Sequence, residues 1–216
     1  MSRKKAFTLS EVTTVLVILG TIFMLTMPNF FINSKKHEYR AAYLKALNIV
    51  NNAYSEYLNG GMDKGNADTG ALTSKVNDPA YIGSTNSDGV SMTSSSDIVN
   101  KIFKKHISQN YITSDSAAFP GCPAAGVKFY AANGMRFCVN YSSCANNANY
   151  SDYTCGEIWV DVNGAKKPNS IANNASRLGD IYPIIIMKNR FVPGSTSNSA
   201  ASTVAQNIYF GNLSDD

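Results

Sequence analysis

Three groups of residues in this chain of 216 have types and spacings suited to chemistry. Glu11 is a single carboxylate at the mouth of an apolar segment. Cys122, Cys138, Cys144 and Cys155 are the chain's four cysteines, and Asp161, Asn163, Asn169 and Asp180 gather oxygen side chains within one stretch. Each group points to a different chemistry: charge pairing in a medium of low dielectric, disulfide formation, and binding of a hard cation.

A carboxylate near hydrocarbon costs about 2.5 to 3.5 kcal/mol on insertion scales and marks a functional position by default. Glu11 therefore needs something to neutralise it. For the cysteines, three pairings are formally open. Cys122 with Cys138 and Cys144 with Cys155 is preferred, because the second pair would close the Asn/Tyr/Ser-rich loop between two strands. Zinc competes poorly, since no C-x-x-C pair exists and His37 and His106 are distant in sequence. Asp161-Val162-Asn163-Gly164 supplies two oxygen side chains and a turn, and with Asn169 and Asp180 it forms a set suited to Ca²⁺. It lacks the D-x-D-x-D-G ladder and terminal Glu of an EF-hand, and an Asn-Gly turn held by its own side chains explains the same residues. There is no G-x-S-x-G, no H-E-x-x-H and no phosphate loop of Walker type, so catalysis is not expected.

The elements that must position these groups start with a membrane-length segment. Val12 to Ser34 carries no charged residue, and Val12 to Met27 is almost wholly apolar. As a helix it can cross most of a bilayer, with the basic leader Arg3-Lys4-Lys5 on the cytoplasmic side and the following residues exported to an oxidising compartment. A secretory signal would end in a small-x-small cleavage site, which Thr26-Met27-Pro28-Asn29 does not offer.

Lys5-Ala6-Phe7-Thr8-Leu9-Ser10-Glu11, followed by Gly20 and Pro28, resembles the class III signal of type IV prepilins and type II secretion pseudopilins. The resemblance covers about 30 residues closely and the remainder only in architecture. It implies cleavage by a prepilin peptidase between Ala6 and Phe7, N-methylation of Phe7, and polymerisation at an inner-membrane assembly platform with other pilins or pseudopilins. Ala6 stands where most members have Gly, and Ser10, Thr13 and Thr14 replace large aliphatics. Independently of the name, cleavage would leave an amine on Phe7 four residues before Glu11. Pairing of one subunit's Glu11 with its neighbour's Phe7 amine would set the register, because an unpaired charge in such a core costs several kcal/mol. Gly20 and Pro28 weaken the helix by about 1 and 3 kcal/mol, and the resemblance implies that the stretch between them can melt or extend in a filament. Some major pseudopilins bind calcium in a C-terminal loop, to which the 161 to 180 segment is loosely similar.

Beyond Pro28 the pattern turns amphipathic. Tyr39, Tyr43, Ala46, Val50, Ala53 and Tyr57, with Leu47 and Tyr54, share a face, while Lys45, Asn52 and Glu56 fall elsewhere. One helix from about Phe7 to Leu58, roughly 78 Å long, would end at Gly60-Gly61. Residues 1 to 6 are then a leader, 7 to 34 a transmembrane and assembly helix, and 35 to 216 an exported domain. The fold class expected is α+β, the amphipathic half of the helix packed on an antiparallel sheet.

Residues 60 to 96 read as a long irregular connection, followed by a short helix from Ile98 to Ser108 capped by Asp97. Lys101, Lys104, Lys105 and His106 make it locally basic, which reads as a solvated face, with an acidic partner or DNA as the alternative. Strands are expected over 127–131, 135–141, 157–162 and 182–188, with a hairpin at Asn133-Gly134. A surface loop over 195–205 and a last strand at 207–210 complete the pattern.

The chain carries 19 Lys and Arg against 15 Asp and Glu, and loss of Arg3, Lys4 and Lys5 leaves a near balance. Nucleic acid is thus not an expected general partner. The expected protein is a filament subunit, inserted once in a bacterial inner membrane and then displayed in the periplasm or outside. The alternatives are a minor tip pilin that binds a surface or DNA, and a membrane-anchored exported enzyme.

Overall fold

The computed structural model describes residues 8–59, 80–86, 89–104, 107, 113–114, 118–147, 152–164, 166–174 and 179–211. Ala6, Phe7, Gly60, Gly61, Lys105 and His106 lie outside them. By its contacts the chain divides into two units, Met1–Glu38 and Tyr39–Asp216.

Helix α1 spans Leu9–Leu58 and runs through Gly20 and Pro28 without interruption. Its Leu9–Met27 stretch is long and apolar enough to cross a membrane, with a mean hydropathy of 1.9 and none of it buried. The hydroxyls along it are satisfied locally: Thr13 donates to Leu9 O, Thr14 to Ser10 O, Thr21 to Ile18 O and Thr26 to Ile22 O, all at 2.8–3.0 Å. A polar side chain that bonds its own backbone removes most of its cost in lipid.

In the second unit the rest of α1 behaves as its periodicity predicts. Tyr39, Tyr43, Ala46, Leu47, Val50, Ala53, Tyr54 and Tyr57 are all buried, whereas Lys45, Asn52 and Glu56 are exposed. They share one core with the sheet residues Phe137, Val139, Ile158, Val160, Tyr182, Ile184 and Ile186. Full burial of each such large side chain stabilises by about 1.5–3 kcal/mol. Three tyrosines add polar ties, Tyr43 to Pro183 O at 2.8 Å, Tyr54 to Lys188 O at 2.7 Å and Tyr57 to Ala80 O at 3.0 Å. Asn51 imitates a neighbouring strand, because its amide gives and takes one bond with the Phe191 backbone, both at 3.1 Å.

Among the described residues the sheet has six antiparallel strands in sequence order: β1 (Thr113–Ser114), β2 (Val127–Tyr130), β3 (Arg136–Asn147), β4 (Asp152–Asp161), β5 (Ile181–Met187) and β6 (Phe191–Pro193). The coarse architecture is α+β. Asn133-Gly134 forms the β2–β3 turn, with Gly134 at φ 83° and Asn133 Oδ1 accepting from Met135 N at 3.1 Å. Between β3 and β4 the register shifts after Tyr141 pairs with Gly156 and resumes where Ala145 pairs with Thr154. Gly156 makes this irregularity possible, since its φ is 138° and a Cβ there would lie 2.1 Å from Asn140 O.

β1 and β6 have no counterpart among the expected strands, and two further elements differ from expectation. The short helix starts earlier, as α2 (Ser95–Asp97) capped by Ser94, and passes into a π-helical segment, Ile98–Phe103. Asp97 stands at the N-cap position of that segment but its side chain makes no capping bond; it accepts from the Ser94 hydroxyl at 2.7 Å and pairs with Lys101 at 2.9 Å. The expected loop at 195–205 and strand at 207–210 are instead the end of one turn and a helix, α3 (Ser199–Phe210). Asn198 caps it, Gly211 ends it at φ 70°, and Ala201, Val204, Ala205 and Ile208 form its buried face. These positions are spaced three and four apart, so helical burial of small residues outweighs the loop-like Ser/Thr/Asn composition.

Candidate functional site

At the membrane segment, Glu11 closes a reciprocal cap with Thr8. Thr8 N and Thr8 Oγ1 each donate to Glu11 Oε2 at 2.9 Å, and Glu11 N donates back to Thr8 Oγ1 at 3.3 Å. This is a capping box, and the acid also complements the positive end of the helix dipole. The carboxylate thus has a local structural use while standing on a helix whose apolar surface is unburied.

The cysteines pair as Cys122–Cys138 and Cys144–Cys155. The second bridge sits within the β3–β4 register shift. The first pins the loop ahead of β2 to β3, where Phe119, Cys138, Trp159, Ile181 and Ala201 form a small core on the sheet face away from α1. Gly121 lies so close to Trp159 that a Cβ would come within 2.8 Å of the ring.

By strand alternation the same face carries Arg136 and Asp161. Arg136 and Asp161 are directly paired across β3 and β4, and 3% and 0% exposed respectively. Arg136 Nη1 donates to Asp161 Oδ2 at 3.4 Å and Nη2 to Ala118 O at 3.1 Å. Its guanidinium lies over the rings of Phe119, 4.9 Å away, and Tyr130, 5.6 Å away. Asp180, also fully buried, accepts Asn169 N on Oδ2 at 2.9 Å and Ser170 N on Oδ1 at 2.7 Å. Asn163 donates to Tyr39 Oη at 3.0 Å and to Lys167 O at 3.2 Å.

These residues meet part of what calcium requires. Asp161 Oδ1, Asn163 Oδ1 and Asn169 Oδ1, all from the candidate set, are buried atoms that accept no hydrogen bond, as cation ligands would be. Asp180, however, already uses both oxygens to clamp the 169–170 backbone, and Asp161 already faces a buried guanidinium. Calcium asks for roughly six to eight oxygens, with several negative charges among them. Among the described residues no group of three or more His, Cys, Asp or Glu is placed to hold a metal.

Burial pushes the Asp161 carboxyl up to about 7, the Asp180 charge adds to the rise, and Arg136 opposes it. The folded state therefore binds this proton more tightly than the unfolded chain, whose ordinary value is 3.8. The sign is opposite to that of a salt-bridged acid with a lowered pKa. Stability from this group is greatest below the unfolded value and falls as pH rises towards 7. Chemical denaturation across that range should show the decline, and Asp161→Asn should flatten it; an unchanged slope in the variant would refute the assignment.

Glu157, two alternations before Asp161 on β4, is a group that sequence reasoning missed. It is 5% exposed and accepts from Ser195 Oγ at 2.9 Å, Thr196 Oγ1 at 2.7 Å, Ser197 N and Ser197 Oγ at 2.8 Å, and Thr196 N. The only sequence signal for it is a lone acid among apolar strand residues, with a Ser-Thr-Ser run that offers hydroxyl donors. No protein-family model, curated protein or solved structure matches this chain.

Proposed function

We propose that this protein is a structural subunit of a type IV pilus or type II secretion pseudopilus. On this reading it enters the bacterial inner membrane through α1, loses residues 1 to 6 to a prepilin peptidase, and assembles with like subunits. The observation that carries the reading is Glu11, placed directly after Lys5-Ala6-Phe7-Thr8-Leu9-Ser10 at the head of an unburied apolar helix of membrane length. An amphipathic continuation of the same helix into a disulfide-bridged sheet domain supports export of that domain. The role is structural and not enzymatic.

The capping box sharpens how assembly would work. Glu11 is held by Thr8, which would become the second residue after cleavage, so the new Phe7 amine would appear beside a carboxylate already oriented. Transfer of that carboxylate to a neighbour's amine exchanges one local partner for a charged one. Glu11→Val should leave membrane insertion intact and reduce sheared filaments at least tenfold, read by immunoblot of the shear fraction. Normal incorporation would reduce Glu11 to a helix cap. The pathway itself is tested by intact mass and N-terminal fragmentation after co-expression with the prepilin peptidase: the expected mature chain begins at N-methylated Phe7, and a retained leader or cleavage beyond Pro28 would overturn the proposal.

A further inference from the structure

The end of the domain that carries the loop joining β4 to β5 is basic on its surface. We propose that Arg40, Lys166 and Lys167 form a docking surface for the anionic phospholipid headgroups of the membrane that α1 enters, and that the loop is tied so as to hold its two lysines there. The proposal rests on the reading of α1 as a membrane span.

Three sets of contacts bring the cations together. Asn163 donates both to Tyr39 Oη and to Lys167 O, so the backbone at Lys167 is fixed beside the residue that precedes Arg40 on α1. Asp180 clamps Asn169 N and Ser170 N, which holds the residues that follow Lys167. Arg40 reaches the same end: burial raises the Tyr182 hydroxyl pKa, the Arg40 charge opposes that rise, and the hydroxyl donates to Gly179 O at 2.8 Å. Lys166 and Lys167 are exposed and Arg40 is half-buried. Among the described residues the acids at this end are Asp161 and Asp180, both fully buried, so the outward charge is positive. Gly164 packs so closely on the β2–β3 turn that a Cβ would lie 2.5 Å from Gly134 O, and that turn, Ala132-Asn133-Gly134, adds no charge.

Connectivity says what such a surface meets. Val12 to Ser34 is uncharged, and Arg40 follows Ser34 by six positions, about 9 Å as helix and no more than about 22 Å fully extended. The chain itself thus keeps Arg40 near the headgroup layer. A lysine or arginine close to an anionic bilayer is attracted to it, and the attraction fades within a Debye length of about 8–10 Å. Lys188 supplies the contrast, an exposed lysine just past the far end of β5, about 20 Å along the strand from Ile181.

The test inserts the full chain into lipid nanodiscs of phosphatidylcholine alone or with phosphatidylglycerol and follows acetylation of individual lysines by mass spectrometry. With phosphatidylglycerol, Lys166 and Lys167 should react roughly threefold more slowly or less, Lys188 should not change, and about 0.5 M salt should abolish the difference. Asn163→Ala, which unties the loop from Tyr39, should restore most of the Lys167 rate. Equal rates in the two discs, equal slowing at Lys188, full protection in Asn163→Ala, or stronger protection by inorganic phosphate or a short DNA duplex in phosphatidylcholine discs would overturn the proposal and leave the membrane reading in place. A chain that does not enter the discs would overturn both.

Discussion

Glu157→Ala should destabilise the exported domain by about 3 kcal/mol or more, with the loss concentrated in the 195–198 turn and α3. The carboxylate gathers three consecutive residues, Ser195, Thr196 and Ser197, through their hydroxyls and two of their backbone N–H groups. That turn sets the start of α3, since Ser195 Oγ accepts Asn198 N at 2.9 Å and Asn198 Oδ1 accepts Ala201 N at 3.0 Å. Truncation leaves several buried or half-buried donors unsatisfied at once, each costing about 1–3 kcal/mol unless water reaches it. Thr196 and Ser197 are exposed at their outer edges, so water recovers part of the loss and the lower figure is the fair expectation. Glu157→Gln should cost less, because its remaining oxygen can still accept while only the charge assistance is lost.

Two measurements check this. Amide hydrogen exchange should accelerate over 196–202 in Glu157→Ala while the β3–β4 ladder stays protected; uniform protection would show that the turn is held by something else. Acid titration gives the second. Burial pushes the Glu157 carboxyl up, but hydrogen bonds from Thr196, Ser197 and Ser195 outweigh it and hold it below its ordinary value of 4.5. Its contribution is therefore present above that value and lost as pH falls through the lower folded pKa. The wild type should lose stability in that acid range, and Glu157→Gln should lose less of it. The Asp161 proton acts with the opposite sign and at higher pH, so the two carboxylates can be separated in one titration.

How far the fold was legible follows from where the decisive interactions lie. The amphipathic half of α1 was readable position by position, because burial there is a matter of 3.6-residue periodicity alone and Tyr39 to Tyr57 obey it. The central strands and the Asn133-Gly134 turn were readable for a similar local reason. β3 and β4 run longer than expected since the irregularity at Gly156 lets pairing resume beyond it, and nothing local announces that an interrupted ladder will continue. The helix α3 is encoded in its apolar spacing and its Asn198 and Gly211 ends, while its Ser/Thr/Asn composition points to a loop. The Arg136 and Glu157 environments were not legible at all. Arg136 owes its burial to Phe119, Tyr130 and Asp161, and Glu157 owes its own to residues 38–40 positions away. Such long-range pairings are set by register, which the sequence encodes only through the whole sheet.

Removing both disulfides should produce the largest loss of all, about 6 kcal/mol if the two act independently. Their partners are 16 and 11 residues apart, and closing loops of that size restricts the unfolded chain by about 3 kcal/mol each. The consequences differ by place. Cys144–Cys155 spans the part of the β3–β4 ladder where backbone pairing is interrupted, so it supplies the connection that hydrogen bonds do not. Its sulfur also underlies Gly83, where a Cβ would come within 2.1 Å of Cys144 Sγ, and so supports the 80–92 loop. Cys122–Cys138 instead fastens the loop bearing Phe119, one of the two rings that Arg136 lies over, onto the small core with Trp159. Cys144→Ser with Cys155→Ser should therefore loosen the outer β3–β4 hairpin first, and Cys122→Ser with Cys138→Ser should expose Trp159 and shift its fluorescence to the red. Either pair should lower the melting temperature by roughly 10 °C. Equal melting with and without reductant, or four thiols alkylated in exported protein, would show that the domain stands without its bridges.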